Sequence, residues 1–398
     1  MMSARGSASA ALLGAVSAVL LTVWTGQAEA SPSPLVRRFE GPVRGVTVGP
    51  IENARHAGRG YGTPAYERSL YELRRMGADW VSLTPFGRLP DLKATAIDFS
   101  FEAPFAENRT AVLRAIRQAH AQGLKVLVVP HLWVESGEWR ALIDPEGEAG
   151  WRTYAESYRR FAAAWAAVAE EGRADLFSVG VEQRSFVTTQ RAPLYRDVLS
   201  SVRAAYHGPL TYSGNWDDID QTVILGEVDV IGINAFFPLA ERDGSSFDLL
   251  LAGGLRVRDR VKTLSERWQK PVLFTEVGYT TRPDPAVKPW EWPDGMKDVR
   301  VDERAQADAY AALLAPMLEE PWFAGFFVWR VYADPDDISQ EAEWGFSPRH
   351  KEAELVVRDA FAARWRADPL GLPGDVVSRF GAEQPLVLRG PTYPPWGR

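Results

Sequence analysis

The sequence predicts an α/β protein with a parallel β-sheet, and three features of the chain support this. Eight short apolar runs are spread along it, segments of helical periodicity separate these runs, and several runs begin shortly after a glycine that can end a helix. Strands that alternate with helices form parallel sheets, because each helix returns the chain to the end at which the preceding strand began.

The eight predicted strands are nearly continuous runs rich in Val, Ile, Leu and Phe, without a strict alternation of apolar and polar residues. Runs of this kind are typical of strands that are covered on both faces. In chain order they are residues 43–48, 79–84, 125–131, 176–182, 209–213, 229–234, 271–277 and 325–330.

The segments between these strands have the three-and-four spacing of amphipathic helices. The clearest stripe consists of Trp151, Tyr154, Tyr158, Phe161, Trp165 and Val168. Eight such β/α units over residues 41–365 match the number and length of a (β/α)8 TIM barrel. We therefore expect a single barrel domain, and a doubly wound open sheet is the alternative that periodicity leaves open.

The two ends of the chain differ from the barrel region. Residues 1–30 have the features of a secretory signal peptide: Arg5, an apolar run, and small residues at Ala28 and Ala30 before a cleavage site. An uncleaved N-terminal anchor is the alternative. We expect a linker over 31–40 and an extended, Pro-rich tail over 366–398. Cleavage near Ala30 predicts a secreted or periplasmic protein with no stable membrane insertion after processing.

The composition excludes several classes of function. The formal net charge is −7, which argues against nucleic acid as a partner, and the absence of cysteine excludes disulfides and thiolate chemistry. The five histidines are scattered without ligand spacing, so we expect neither a metal site nor a cofactor. The 15 tryptophans fit a carbohydrate site, since sugar C–H groups pack on flat aromatic rings. We expect a monomer with a polysaccharide or oligosaccharide as its partner.

Two glutamates close predicted strands that are otherwise apolar. Glu182 ends the fourth strand and Glu276 lies near the end of the seventh. TIM barrels build their active sites at the carboxyl ends of the strands, and burying a charge there is costly unless it is used. Either glutamate alone also fits a structural salt bridge. Together they predict glycosidic bond cleavage, which needs one protonated and one ionised carboxyl group.

Five runs of the sequence resemble, in order, glycoside hydrolase family 113, whose members are β-mannanase-like enzymes of a retaining TIM-barrel clan. These runs are residues 177–182, 210–216, 229–238, 271–279 and 322–329. The resemblance implies that Glu182 is the acid/base and that Glu276 is the nucleophile. It also implies a retaining, endo-acting hydrolase that cleaves β-1,4-mannan by double displacement.

Two positions depart from the pattern of the clan. Val181 stands where many relatives have an Asn that binds the sugar 2-hydroxyl, and Phe236 stands where relatives commonly have a Tyr that donates to the nucleophile. Three alternatives therefore stay open. They are hydrolysis of another β-glycan, transglycosylation, and a catalytically weak barrel that binds polysaccharide.

Further strand-end residues are candidates for substrate contact, and each also has a packing interpretation. His131 and Trp133 end the third strand, Asn215 and Trp216 follow the fifth, and Trp329 resembles the aromatic floor under the reacting sugar. With these and Phe236, Arg44 completes the predicted substrate-binding set. It would orient Glu276 by a charge-assisted hydrogen bond. A plain ion pair is the alternative for Arg44.

Overall fold

A computed structural model of the chain describes residues 39, 41–49, 58–100, 103–292, 297–337 and 343–363. The predicted signal peptide and the predicted Pro-rich tail lie outside these residues, as does all of the predicted linker except Phe39. Among the described helices, none is both long enough and apolar enough to cross a membrane.

Eight parallel strands close into a barrel, which confirms the predicted (β/α)8 architecture and excludes the open sheet. The described residues include ten strands, namely β1 Val43–Gly49, β2 Trp80–Leu83, β3 Phe86–Leu89, β4 Lys125–Val128, β5 His131–Val134, β6 Leu176–Val181, β7 Leu210–Asn215, β8 Val230–Asn234, β9 Val272–Val277 and β10 Phe323–Tyr332. Around the ring the eight barrel strands follow the order β1, β10, β9, β8, β7, β6, β4, β2. Each predicted strand overlaps one of these eight.

A small parallel sheet of β3 and β5 continues above β2 and β4, which the sequence does not predict. Residues 125–131 were expected as one strand, but the chain leaves the barrel between Val128 and His131, at Pro130. Pro85 makes the same break between β2 and β3. Proline has no N–H for the sheet, so each break falls where a ladder bond cannot form. Phe86 and His131 then pair, and the His131 N–H donates to the Pro85 carbonyl at 2.8 Å.

The helices surround the barrel, and their apolar stripes face it. They are α1 Pro64–Met76, α2 Phe105–Ala121, α3 Gly147–Gly172, α4 Arg184–Val187, α5 Tyr195–Ala205, α6 Phe247–Trp268, α7 Glu303–Met317 and α8 Glu352–Ala362. All six residues of the predicted stripe lie in α3 and are buried. Such burial supplies most of the stability of a surface helix, because helix propensity alone is weak.

The ends of α1 show how local sequence sets a helix boundary. The Thr63 hydroxyl accepts from the backbone N–H of Tyr66, and Pro64 takes the first helical position, where no N–H is needed. Gly77 ends the helix at φ 102°, a left-handed conformation that a side chain would strain. The chain then enters β2, which begins at Trp80.

The barrel interior changes from apolar to polar toward the carboxyl ends of the strands. Residues two apart on a strand share a face, and Leu176 is followed on its face by Ser178, as Leu273 is by Thr275. The two leucines belong to an apolar cluster, whereas the hydroxyls above them are buried polar groups. The side-chain oxygens of Ser178 and Ser213 lie 3.0 Å apart. The polar end of the interior is therefore where chemistry can be placed.

Candidate active site

Glu182 and Glu276 both lie at the carboxyl end of the barrel and are 7% and 6% exposed. Glu182 directly follows β6, and Glu276 is the fifth residue of β9. Asn234, the last residue of β8, is the register partner of Glu276. The structure thus brings the two predicted carboxyl groups into one site, with Asn234 beside them.

Three donors hold the Glu182 carboxylate. Oε2 accepts from Trp139 Nε1 at 2.9 Å and from Arg140 Nη1 at 2.7 Å, and Oε1 accepts from Asn234 Nδ2 at 3.1 Å. The Glu182 backbone has φ 47°, a conformation that is uncommon for residues other than glycine. Such outliers cluster at functional sites, where surrounding contacts hold them in place. Here the Glu182 N–H donates to the Ser213 carbonyl at 2.9 Å.

Asn234 connects the two glutamates. Its Oδ1 accepts from the Thr275 hydroxyl at 2.9 Å, which fixes which end of the amide is the donor. The amide then donates to Glu182, and as the register partner of Glu276 it lies beside that residue, where it lowers the pKa of the Glu276 carboxyl. A change in the charge of one carboxyl group can therefore affect the other through this amide.

Burial raises the pKa of the Glu276 carboxyl well above its usual value, and the negative charge of Glu182 raises it further. The positive charges of Arg140 and Arg330 and the hydrogen bond from Asn234 act in the opposite direction. Two carboxylates at close range cannot both ionise freely. Glu276 therefore keeps its proton to a higher pH than an ordinary glutamate, and glycosidic chemistry needs one protonated carboxyl group.

His131 lies against Glu276, as the sequence predicts for a residue of the sugar site. Its Nε2 is 3.6 Å from Glu276 Oε1, and its ring stacks on Trp329 at a centroid distance of 5.9 Å. Burial lowers the pKa of this histidine well below 6.5, and the charges of Arg140 and Arg330 lower it further. The imidazole is therefore neutral at physiological pH and adds no charge to the site.

Aromatic side chains line the same end of the barrel. Phe236 and Trp329 form a buried cluster with Phe346, and Trp216 packs against it. Trp216 also stacks on Trp290, with ring centroids 5.3 Å apart and an angle of 23° between the rings. The sequence predicts Trp216, Phe236 and Trp329 as substrate contacts, and the structure brings them together beside the carboxyl pair.

Three tryptophans in the loops around the site are exposed. Trp133 is 42% exposed, Trp290 is 46% exposed and Trp292 is 38% exposed. Trp133 lies on β5, which continues from β4, whereas the other two lie after β9. In the ring β4 and β9 are four strands apart in either direction. Trp290 stacks on Trp216 and Trp292 lies under the Arg330 guanidinium, so both rings adjoin the site.

Asn215 lies behind the site in a network of charged residues. Its Nδ2 donates to Asp217 Oδ1 at 2.6 Å, and Arg184 bonds both Asp217 and Asp218. The Arg184 guanidinium lies 4.7 Å from the centroid of the Trp139 ring. Asn215 therefore supports, through Arg184, the tryptophan that donates to Glu182.

The prediction that Arg44 orients Glu276 is wrong. Arg44 is the second residue of β1, and its Nη1 bonds Asp79 Oδ2 at 2.8 Å just before β2 begins. Its backbone N–H bonds the same carboxylate at 2.8 Å. Both residues lie at the amino ends of their strands, whereas Glu276 lies toward the carboxyl end of β9. Arg44 instead forms an ion pair with Asp79, which was the alternative interpretation.

Four residues at the site were not predicted as site residues: Trp139, Arg140, Asn234 and Arg330. Asn234 ends a predicted strand, and a polar residue at that point is the signal that could have found it. Arg330 is two residues before the end of β10 and partly buried. Trp139 and Arg140 lie at a short 3-10 helix, Arg140–Leu142, beyond β5. The periodicity of the sequence does not predict the direction of side chains in such a loop.

Within the described part of the chain, no group of three or more His, Cys, Asp or Glu side chains has the spacing to hold a metal ion. Two buried carboxyls, a neutral imidazole and flat aromatic faces are suited to proton transfer and nucleophilic attack on a sugar.

Replacing Glu276 by Gln should stabilise the folded protein at neutral and alkaline pH. Folding raises the pKa of the Glu276 carboxyl. Its contribution to the free energy of unfolding is therefore lost as the pH rises from the pKa of the unfolded state through the pKa of the folded state. We expect the variant and the wild type to melt at similar temperatures near pH 4 and the variant to melt higher at pH 8. Thermal unfolding across this range measures the difference.

The matched control for this stability measurement is Glu241→Gln, at an exposed position in the loop after β8. It should follow the wild type at every pH. A Glu276→Gln variant that is less stable than the wild type at pH 8 would show that the ionised carboxylate is favourable in the fold.

The model of Glycoside Hydrolase Family 113 matches residues 54–344. No curated protein sequence is similar enough to the chain to count as a match. Among solved structures, the GH113 β-mannanase AaManA from Alicyclobacillus acidocaldarius, in complex with ManMIm, superimposes with a TM-score of 0.69. It is 28% identical, and the match covers 81% of this chain and 98% of that one.

Two further solved structures extend the comparison. A GH113 β-1,4-mannanase complex has a TM-score of 0.69 at 23% identity, covering 82% of this chain and all of that one. A Glycoside Hydrolase Family 5 mannosidase from Rhizomucor miehei has a TM-score of 0.56 at 9% identity, covering 81% and 92%. At these identities the two likenesses concern the fold alone.

Proposed function

Since the chain belongs to glycoside hydrolase family 113, we propose that it is a retaining, endo-acting hydrolase that cleaves β-1,4-linked mannan by double displacement. The observation that carries this proposal is the pair of buried carboxyl groups of Glu182 and Glu276, joined through Asn234. That the chain is a glycoside hydrolase follows from its family. The substrate and the stereochemistry are the proposed parts.

In the proposed reaction Glu276 attacks the anomeric carbon while Glu182 protonates the leaving glycosidic oxygen. The C–O bond to the leaving sugar breaks, and a covalent glycosyl-enzyme forms on Glu276. Glu182, now ionised, then takes a proton from water, and the resulting hydroxide displaces Glu276. Two inversions give net retention, and Glu182 ends the cycle with the proton it started with.

The first step requires a proton on Glu182 and an ionised Glu276. In the free enzyme the raised pKa of Glu276 favours its protonated form. The proposed mechanism therefore requires that Glu276 gives up its proton before it attacks. Asn234 touches both carboxyls, and Arg140 and Arg330 both favour the ionised form of Glu276. These groups offset part of the cost of ionising the buried nucleophile.

Endo action is supported by the exposed tryptophans around the carboxyl end of the barrel. Trp133 lies on β5, and Trp290 and Trp292 lie in the loop after β9, against Trp216 and Arg330. A chain of pyranose rings can pack on both sets of rings while its central bond lies at the glutamates. The similarity to the GH113 β-mannanase from Alicyclobacillus acidocaldarius favours mannan as that chain.

The test of this proposal is the release of reducing ends from mannan, glucomannan, xylan and mixed-linkage β-glucan under identical conditions. We expect mannan and glucomannan to be cleaved fastest, with internal cuts that shorten the polymer before monosaccharide accumulates. Faster cleavage of xylan or β-glucan would show that mannan is not the preferred substrate. A barrel that binds these glycans but releases no reducing ends would overturn the proposed activity.

We also propose export of the enzyme, which rests on the signal-peptide features of residues 1–30. Mature protein from the native host should begin at or near Ser31 when its N-terminus is sequenced. Recovery of membrane-bound protein that still begins at Met1 would contradict cleavage and favour an N-terminal anchor.

A further inference from the structure

Arg330 is a cation at the active site whose charge is not used by an ion pair. Its guanidinium lies over the rings of Trp292, Trp329 and Tyr332, at 5.0, 5.2 and 4.8 Å from their centroids. One Nη donates to the Tyr332 hydroxyl at 2.8 Å, and Nε is buried without a hydrogen-bond partner. Among the described residues, no carboxylate forms an ion pair with it.

The guanidinium stands beside the reacting groups. It lies over the ring of Trp329, which stacks on His131, and His131 Nε2 is 3.6 Å from Glu276 Oε1. Nη1 is 3.7 Å from the point that a Cβ on Gly49 would occupy, at the end of β1. Arg330 thus stands above the seam between β1 and β10, next to the exposed ring of Trp292.

The other charges of the site compensate one another. Arg140 pairs with Glu182, and His131 is neutral. Arg330, in contrast to Arg140, has no carboxylate in ion-pair contact among the described residues. Binding of a neutral mannan does not require a cation in this position, because hydroxyl groups can be bound by neutral donors.

We propose that Arg330 forms a subsite for the carboxylate of a uronosyl unit, so that the enzyme accepts β-glycans carrying acidic sugars next to the cleaved bond. This inference rests on the proposed function. A guanidinium presents planar, paired donors that match a carboxylate, and the aromatic rings hold its orientation. The same rings, Trp292 and Trp329, offer flat faces to the pyranose ring that bears the acid.

A purely positioning role for Arg330 makes a different prediction. If its charge served only to help Glu276 ionise, removing the charge would lower kcat on every substrate, acidic or neutral. A carboxylate subsite also acts through binding, so its loss raises KM for acidic substrates beyond any loss of kcat that acidic and neutral substrates share.

The experiment compares two substrates that differ only in the acid. One is a β-1,4-manno-oligosaccharide, and the other is the same oligosaccharide oxidised at C6 to carry carboxylates. We expect Arg330→Gln to lower kcat/KM on the oxidised substrate by about tenfold or more, as for loss of a charged hydrogen bond, through KM. Raising the ionic strength should weaken the wild type's binding of the oxidised substrate more than that of the neutral one.

The matched control is Arg75→Gln, which removes another arginine that lies over an aromatic ring, Tyr71, on the exposed face of α1. It should leave both substrates unaffected. Thermal unfolding of Arg330→Gln checks that the fold is intact. Arg330→Lys keeps the charge without the paired donors and should fall between the wild type and the glutamine variant on the oxidised substrate.

Equal losses on both substrates, or no change on either, would overturn the carboxylate subsite while leaving the proposed function in place. Failure of the wild type to bind the oxidised oligosaccharide would also overturn it. If the wild type cleaved neither substrate, the proposed function would fail. Calorimetric titration with the oxidised oligosaccharide would then still decide the subsite, by whether Arg330→Gln abolishes binding.

Discussion

The Glu276→Gly variant should hydrolyse β-mannan on the order of 10⁴-fold or more slowly than the wild type, because no group remains to form the glycosyl-enzyme. Glu276 lies buried beside Glu182, and among the described residues Glu182 is the only carboxyl group whose charge acts on it. The matched control is Asp175→Asn, whose carboxylate lies just before β6, at the opposite end of that strand. It should retain activity close to that of the wild type.

Azide should restore turnover to Glu276→Gly on a substrate with an activated leaving group. The small anion fits the space that the side chain vacates and attacks the anomeric carbon from the same side as the nucleophile. One displacement then gives a glycosyl azide of inverted configuration. A variant that keeps its activity, or an azide product of retained configuration, would contradict the assignment of Glu276 as nucleophile.

The second large effect is expected for Glu182→Ala, and its size should depend on the leaving group. Loss of a general acid costs about 10²–10⁴-fold on natural glycans, whose leaving oxygen needs a proton. An aryl glycoside with an acidic phenol needs no proton to leave, so formation of its glycosyl-enzyme should be much less affected. The measurement is kcat/KM for mannan and for such a glycoside, on the variant and the wild type.

The control for this experiment is azide added to Glu182→Gly with the activated substrate. Glu276 still attacks first in that variant, so the azide product should have retained configuration, opposite to that from Glu276→Gly. Equal losses on mannan and on the aryl glycoside would reject Glu182 as the acid/base. The same azide anomer from both variants would show that the two roles are assigned wrongly.

The barrel was predictable because its signals are local. Each strand is an apolar run and each helix has an apolar stripe. Eight strands are the number that a closed TIM barrel requires. The sheet of β3 and β5 was missed because a run such as 125–131 looks continuous, although Pro130 interrupts the ladder. Pro85 and Pro130 were the sequence signals for the two breaks. That the breaks lie side by side is visible only from the pairing of β3 with β5 in the structure.

The site was predictable as far as strand ends define it. Glu182 and Glu276 are identified by their positions near the carboxyl ends of strands. Arg44 was assigned to the wrong end of the barrel, because a residue near the start of its strand cannot reach the carboxyl ends of the others. Asn234 contacts a residue 52 positions away, a distance over which sequence periodicity gives no information. Trp139 and Arg140 depend on the conformation of the loop after β5, which no local pattern fixes.

The most direct test of a double displacement by Glu182 and Glu276 is the anomeric configuration of the first product. Proton NMR spectra recorded during the first minutes of mannopentaose hydrolysis, before mutarotation equilibrates the anomers, measure it. A retaining site has carboxyl groups about 5–5.5 Å apart, with no room for water between nucleophile and sugar. We expect the β-anomer of the new reducing end to form first; initial accumulation of the α-anomer would show inversion and contradict this mechanism.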